Sequence, residues 1–255
     1  MSTLVDKLQS LSRVTAGPLG FHPSSSETKE SAMLLIAGLA GADVGKTEAL
    51  AEAGVDAALI LNRSVDIRVI EQMVKAMSGV PLGVLLPDAN KEELAEIVNT
   101  GCDFIVFDMT TPIAVLEGGK VGKLLMVEPS LNQNLVRTIN DIDIDGMLIN
   151  KGEGSVITVE HLLVCQRFSE LLNKPLVMNL PALVTSTEFV SLWKAGIDGV
   201  VTPPTQSAKE LIELRRMMRA LPKEAKRRRS KLDVVLPRYG GDLAAEEEEE
   251  EEEEI

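Results

Sequence analysis

The sequence predicts an all-parallel, eight-stranded (β/α)8, or TIM, barrel over residues 32–221. Eight short apolar runs recur along the chain, and segments with helical periodicity separate most of them. That alternation is typical of βα units that build a parallel sheet. A turn that contains Asp also recurs at every second βα unit. An open doubly wound sheet would not be expected to have this two-unit repeat. Each unit then spans roughly 24 residues, which suits a compact barrel.

The eight predicted strands are nearly continuous in Val, Ile, Leu and Met, as expected for strands covered on both faces. They are residues 32–39, 57–62, 81–87, 104–109, 123–129, 146–150, 175–181 and 199–204. Apolar residues at three- and four-residue spacing predict amphipathic helices between them. These helices are residues 65–77, 91–98, 132–139, 158–172, 186–195 and 207–221.

The repeated turn places an aspartate just before each even-numbered strand. The four aspartates are Asp56, Asp103, Asp145 and Asp198. Glycines at positions 54, 101 and 196 precede three of them and predict helix ends in the left-handed conformation. Because this turn lies at the N-terminal face of a barrel, where residues serve stability, we expect the aspartates to be structural.

Residues outside the barrel differ from it in composition. Glu246–Glu254 supply nine of the thirteen net negative charges, so the rest of the chain carries −4. Like charges in such a run repel one another, which predicts a disordered tail over residues 244–255. A basic linker, residues 222–243, precedes it. Residues 1–31 form an N-terminal extension, in which the stretch GPLGFHPSSS is expected to close the bottom of the barrel.

Composition also narrows the functional classes. Two cysteines without metal-binding spacing favour a reducing compartment, so we expect a cytoplasmic protein. No apolar run is long enough to span a membrane, and no secretory signal is evident. Few aromatic residues and a negative charge argue against nucleic-acid binding. A small-molecule substrate is the expected partner, and the oligomeric state stays open, a homo-oligomer included.

Barrel chemistry occurs where the strands end, so the first polar residues after the apolar runs are the candidate site. The candidate catalytic residues are Asp108, Glu128 and Lys151, and the candidate substrate-binding residues are Asn62, Asn150, Asn179 and Thr202. Two neighbouring carboxylates suit proton transfer, or they can hold a divalent metal. A lysine there can bind an anion or form an imine. The alternative is that these residues only cap helices or lie in solvated loops.

The stretch KPLVMNLPALVTSTEFVSLWKAGIDGVVTPP, residues 174–204, resembles the closing quarter of the ribulose-phosphate-binding and flavin-linked barrel superfamily. That resemblance implies a phosphate site in the loops after strands 7 and 8, and FMN as a cofactor to be tested. This chain has Asn-Leu-Pro-Ala and Thr-Pro-Pro-Thr in those loops. Thr205 and Ser207 are the candidate phosphate ligands.

Three functional hypotheses follow. The first is a lyase, isomerase or flavin-linked oxidoreductase acting on a small anionic or carbonyl-bearing metabolite at the C-terminal rim. The second is a barrel that has lost catalysis and serves as a binding module. The third is a P-loop hydrolase, because Ala40–Thr47, which includes Lys46, fits a relaxed Walker A pattern between a strand and a helix.

Overall fold

Eight short strands alternate with helices in the computed structural model, which describes residues 2–13, 32–41, 44–62, 65–77, 79–87, 90–117, 120–150 and 156–221. The strands are β1 (Leu34–Leu39), β2 (Ala57–Ile60), β3 (Leu82–Leu85), β4 (Phe104–Phe107), β5 (Gly122–Val127), β6 (Gly146–Ile149), β7 (Leu176–Asn179) and β8 (Gly199–Val201). The helices are α1 (Thr3–Arg13), α2 (Val44–Glu52), α3 (Ile67–Ala76), α4 (Lys91–Asn99), α5 (Ile113–Leu116), α6 (Gln133–Thr138), α7 (Val159–Leu171), α8 (Ser186–Lys194) and α9 (Ala208–Arg219).

The strands pair in chain order, all in parallel, and β8 pairs back onto β1. The sheet is therefore a closed barrel, which confirms the predicted fold class and all eight strands in sequence. Helix α1 was not predicted. Among the described residues, no helix has the length and apolar character that crossing a bilayer requires.

Alternate residues of each strand point into the barrel or out towards the helices. The inward residues form one packed cluster: Leu34, Ile36, Ala57, Leu59, Leu85, Phe104, Val106, Leu124, Leu148, Val177 and Val201. The outward residues join a second, larger cluster with the helices. Glycine at position 83 makes room for an aromatic ring, because a Cβ there would lie 2.2 Å from Phe104. The interior is thus a filled core and not a pore.

Helix α1 closes the bottom of the barrel. Leu4 and Leu8 are fully buried in the inward cluster. The Asp103 carboxylate caps the helix, because it accepts hydrogen bonds from the Ser2 hydroxyl at 2.7 Å and from the Leu4 N–H at 2.9 Å. A Cβ at Gly122 would lie 2.6 Å from the Ser2 oxygen. The closure is made by this helix, whereas GPLGFHPSSS, with its His22, lies outside the described residues.

The repeated aspartates tie neighbouring strands together at the same end, as expected of structural residues. Asp56 donates its N–H to the Leu35 carbonyl and accepts the Leu35 N–H with its carboxylate. Asp145 and Asp198 make the same pair of bonds to Lys123 and Leu176. The preceding glycines have φ between 72° and 96°, which confirms the left-handed helix ends.

The closed barrel is incompatible with the P-loop hypothesis, because P-loop folds are not built on such a sheet. Thr47, which would have to reach a nucleotide-bound metal, is fully buried. The motif therefore matches by chance, and the P-loop prediction is wrong. The acidic tail and the basic linker lie beyond the part of the chain that the structure describes.

Candidate active site

Polar side chains replace apolar ones at the C-terminal ends of three consecutive strands. Continuing the strand register by one residue pairs Glu128 after β5 with Asn150 after β6, and Asn150 with Asn179 at the end of β7. Asn150 Nδ2 donates to Glu128 Oε1 at 3.0 Å. Asn179 Nδ2 donates to Asn150 Oδ1 at 3.4 Å. These three residues form one continuous row, which we call the rim row.

Hydrogen bonding along the rim row runs in one direction. An ionised carboxylate only accepts hydrogen bonds, so Glu128 orients the Asn150 amide, and Asn150 in turn orients the Asn179 amide. The Asn179 Oδ1 atom is buried and has no hydrogen-bond partner among the described residues. An unpaired buried acceptor costs about 1–3 kcal/mol. The row therefore uses its amide donors internally, and the Asn179 Oδ1 acceptor is left unpaired among the described residues.

Asp108 lies beside the rim row, directly after β4. Its half-buried carboxylate accepts hydrogen bonds from the Thr110 N–H at 2.9 Å and the Thr110 hydroxyl at 2.6 Å, both through Oδ1. The β4–β5 register places Asp108 opposite Met126. Met126 is one inward position below Glu128, so the two carboxylates lie on adjacent strands at neighbouring levels.

The surface beneath the carboxylates, which we call the floor of the mouth, is apolar. Leu61 and Met126 are half-buried and pack on the inward cluster. The inward residues below them are buried. The described part of the mouth thus has an apolar floor and a polar wall. The wall is formed by Asp108 and the rim row, at the ends of β4 to β7.

Two predicted binding residues lie apart from this wall. Thr202 is 1% exposed, and its hydroxyl accepts the Gly38 N–H at 3.3 Å. Asn62 is exposed beside the loop after β1, with its Nδ2 3.4 Å from the position of a Cβ on Gly41. The strand alternation explains both placements, because Val201 and Leu61 take the inward positions. Lys151 lies outside the described residues.

The loops after β7 and β8 end in capping boxes. Glu188 accepts hydrogen bonds from the Thr185 N–H and hydroxyl, both at 2.7 Å. Glu210 accepts the Ser207 N–H at 2.6 Å and the Ser207 hydroxyl at 2.8 Å. These hydrogen bonds to the cap residue's N–H and then to its hydroxyl hold the pKa of each glutamate below its usual range. Carboxylates therefore occupy the N-terminal ends of α8 and α9, and Thr205 is exposed nearby.

These loops do not fit the phosphate group of FMN. Pro181, Pro203 and Pro204 have no N–H to donate, and the Ser207 N–H is already bound to a glutamate. For a divalent metal, the described residues include no group of three or more His, Cys, Asp or Glu side chains. Among the described residues at the mouth, the groups that could bind a metal are accordingly two carboxylates and side-chain amide oxygens.

Neither cysteine belongs to the site. Cys102 and Cys165 are buried. Burial raises the pKa of each thiol to about 12. The thiolate is the nucleophilic form, so neither residue serves as a nucleophile at neutral pH.

Sequence reasoning missed two residues that shape the rim. Arg167 on α7 donates from Nη2 to the Pro129 carbonyl at 2.7 Å, which fixes the loop that follows Glu128. Gln206 donates to the Ala182 carbonyl at 3.0 Å and joins the loops after β7 and β8. Its Oε1 is buried and has no hydrogen-bond partner within the part of the chain that the structure describes. The only sequence signal for Arg167 is a charged residue within an apolar helix pattern.

No protein-family model matches the chain, and no curated protein sequence is significantly similar to it. Solved structures do share its fold. Tryptophan synthase from M. tuberculosis in its aminoacrylate-bound form has a TM-score of 0.61 at 13% identity, over 86% of this chain and 99% of that chain. A mutant tryptophan synthase alpha-subunit from Pyrococcus furiosus has a TM-score of 0.57 at 14% identity, over 74% and 94%. A protein from Aquifex aeolicus VF5 has a TM-score of 0.63 at 12% identity, over 86% and 98%. At such identities the similarity is one of fold: the chain has the same barrel architecture as these proteins.

Proposed function

We propose that the chain is an enzyme of lyase type that acts on a small carbonyl-bearing metabolite at the C-terminal mouth of the barrel. The observation that carries this proposal is the pair Asp108 and Glu128 on adjacent strands, above an apolar floor. Carboxylates in different environments can divide the roles of acid and base. Asp108 is bonded to Thr110, and Glu128 is more exposed and bonded to Asn150.

The chemistry assigned to the pair is proton transfer next to a carbonyl group. One carboxylate takes the proton from the carbon beside the carbonyl, and the electron pair of that C–H bond forms an enolate. The enolate then expels a leaving group from the next carbon, which receives its proton from the other carboxyl. Hydrogen bonds from Thr110 and Asn150 orient the two carboxylates for these steps.

The fold similarity supports an enzyme of small-molecule metabolism, because the similar structures include tryptophan synthases. The position of Asp108 and Glu128 at the mouth also supports the proposal, since barrel enzymes carry their active sites at this end. Binding of an anionic substrate would depend on Lys151. The described residues themselves favour the carbonyl-bearing class over the anionic one.

Solvent hydrogen exchange tests this function without knowledge of the product. Small aldehydes, hydroxyketones and 2-oxo acids are incubated with the protein in D2O, and loss of the C–H signal next to the carbonyl is followed by NMR. We expect the protein to accelerate exchange for at least one compound, and Asp108→Asn and Glu128→Gln each to slow it by about 10²-fold or more. Glu160→Gln, at an exposed glutamate in the first turn of α7, is the matched control. Equal exchange in all variants, or none above the buffer rate, would contradict the proposal.

A binding module is the second candidate, and one observation favours it. Both helices that would receive a phosphate are capped by their own glutamates, Glu188 and Glu210. A ligand that protects the mouth against hydrogen exchange, with no catalysed exchange of its own protons, would support the binding module over the enzyme.

A further inference from the structure

We infer that the mouth of the barrel binds a small metabolite that presents hydroxyl or ammonium donors and carries no phosphate group. This inference uses the mouth assigned under the proposed function, but it concerns the ligand class and not the reaction. It rests on two observations. Hydrogen-bond acceptors of the described wall are unpaired, and the N–H groups that could bind a phosphate already donate to other groups of the chain.

The rim row offers acceptors. Both of its amide groups donate along the row, from Asn179 to Asn150 and from Asn150 to Glu128. The buried Asn179 Oδ1 atom receives no hydrogen bond from any residue that the structure describes. Of the carboxylate oxygens, Oδ2 of Asp108 and Oε2 of Glu128 accept no hydrogen bond from the described residues. A ligand that pairs with these atoms must supply N–H or O–H groups.

Gln206 extends the same pattern to the loop after β8. Its amide donates to the Ala182 carbonyl, and its Oε1 is a second buried acceptor that has no partner in residues 156–221 or the other described ranges. Two side-chain carbonyls that are unpaired among the described residues thus lie near the C-terminal ends of β7 and β8. Because buried acceptors are normally paired in proteins, a donor-bearing ligand or a bridging water satisfies these atoms.

The groups that would hold a phosphate are engaged elsewhere. The Leu180 and Thr202 N–H groups donate to strand carbonyls, at 2.8 and 2.9 Å. The Thr185 and Ser207 N–H groups donate to Glu188 and Glu210. A phosphate at these helix N-termini would have to displace a carboxylate that belongs to the chain. A phosphate group of a ligand that faced β4 and β5 would instead meet the carboxylates of Asp108 and Glu128, and like charges at close range disfavour binding.

The apolar floor limits the rest of the ligand. Leu61 and Met126 are half-buried and pack on the inward cluster. A compact carbon skeleton covers that floor, while its donor groups face the wall on β4 to β7. Small amino alcohols and sugars have this combination, with the amine favoured by the two carboxylates.

Matched ligand pairs test the inference on the full-length protein by NMR line broadening and saturation transfer. The pairs are 2-aminoethanol with phosphoethanolamine, and ribose with ribose 5-phosphate, and inorganic phosphate is measured alone. We expect the unphosphorylated member of at least one pair to bind, and its phosphate ester to bind at least about tenfold more weakly. The amine and sugar pairs distinguish ammonium from hydroxyl recognition.

Two variants locate the site. Asn179→Asp keeps the shape of the side chain and adds a negative charge, so we expect tighter binding of 2-aminoethanol and weaker binding of every phosphate ester. Asn179→Leu removes the acceptor and should abolish binding of the unphosphorylated ligands. Asn99→Asp adds the same charge at an exposed position on α4 and should leave all affinities unchanged. Circular dichroism verifies that each variant is folded.

Tighter binding of a phosphate ester than of its parent would overturn the inference, and so would the absence of binding by both unphosphorylated compounds. The proposed function fails separately, through the hydrogen-exchange assay. Binding of an amine or sugar without catalysed exchange leaves the inference standing and removes the enzyme. Catalysed exchange on a phosphorylated compound alone would support the enzyme and overturn the inference.

Discussion

Strand alternation decides which polar residue at a strand end enters the mouth. Asp108, Glu128, Asn150 and Asn179 continue the inward positions of their strands, whereas Asn62 and Thr202 follow inward residues and turn away. Alternation within the apolar runs of β4 and β5 indicates the inward position of Asp108 and Glu128 from the sequence alone. For the other candidates the inward register is fixed only by the closed barrel, and the functional roles of all of them stay predictions.

A single ion pair fixes α9 to the bottom of the barrel. Arg215 donates to both oxygens of Asp56, at 2.6 and 2.9 Å, and both side chains are largely buried. Arg215→Met leaves that carboxylate without its charged partner, so we expect a loss of about 2–4 kcal/mol in the free energy of unfolding.

Urea denaturation measures this loss. Arg216→Met is the matched control, because its pair with Glu213 is solvent-exposed and exposed pairs contribute little. If the two variants were equally stable, the Asp56 pair would not hold the helix.

At the scale of elements, the sequence predicts best where periodicity is long. The helices α7 and α9 were predicted within two residues of their ends. Helix α5 has four residues, too few for a periodic pattern to show. Helix α1 was missed although Leu4, Leu8 and Leu11 have helical spacing in the sequence, because the residues before the first strand were read as an irregular extension. Burial at the bottom of the barrel, and not intrinsic propensity, makes it a helix.

The capping boxes of α8 and α9 predict a pH dependence of stability. Folding lowers the pKa of Glu188 and Glu210 through hydrogen bonds to the cap residues. Their stabilisation is therefore complete above pH 4.5, the usual pKa of glutamate, and is lost as the pH falls through the lower folded pKa. The double variant Glu188→Gln and Glu210→Gln should be less stable than the unmodified chain at pH 6, and the difference should shrink towards pH 3.

Thermal unfolding across this pH range measures the difference. Glu160→Gln, in the first turn of α7 but outside its capping box, should show no comparable trend. A difference that stays constant with pH would mean that the glutamate charge does not contribute to the caps.

At the scale of the whole molecule, eight apolar runs and one two-unit repeat were enough to predict the closed barrel. What the sequence could not indicate is how the lower end is filled. Small residues at the strand starts, Gly122 and Gly199 among them, leave room for α1. Glycine has no apolar signature, so this space is visible only after the strands have closed.

Leu8 tests the contribution of that helix. It is fully buried in the inward cluster, so Leu8→Ala removes apolar contacts and leaves a cavity. We expect a loss of about 3 kcal/mol in the free energy of unfolding. Ser10→Ala, at an exposed position on the same helix, should change it little. Urea titration of both variants provides the measurement, and equal midpoints would show that α1 does not stabilise the barrel.

The position of α1 has a consequence for synthesis of the chain. Its contacts reach Asp103 before β4 and Gly199 in β8, so α1 cannot complete its docking until β8 has been synthesised. Until then Leu4 and Leu8 lack part of the core that buries them. Closure of the barrel during synthesis must therefore wait for β8, and an intermediate without β8 would expose apolar surface that chaperones could cover.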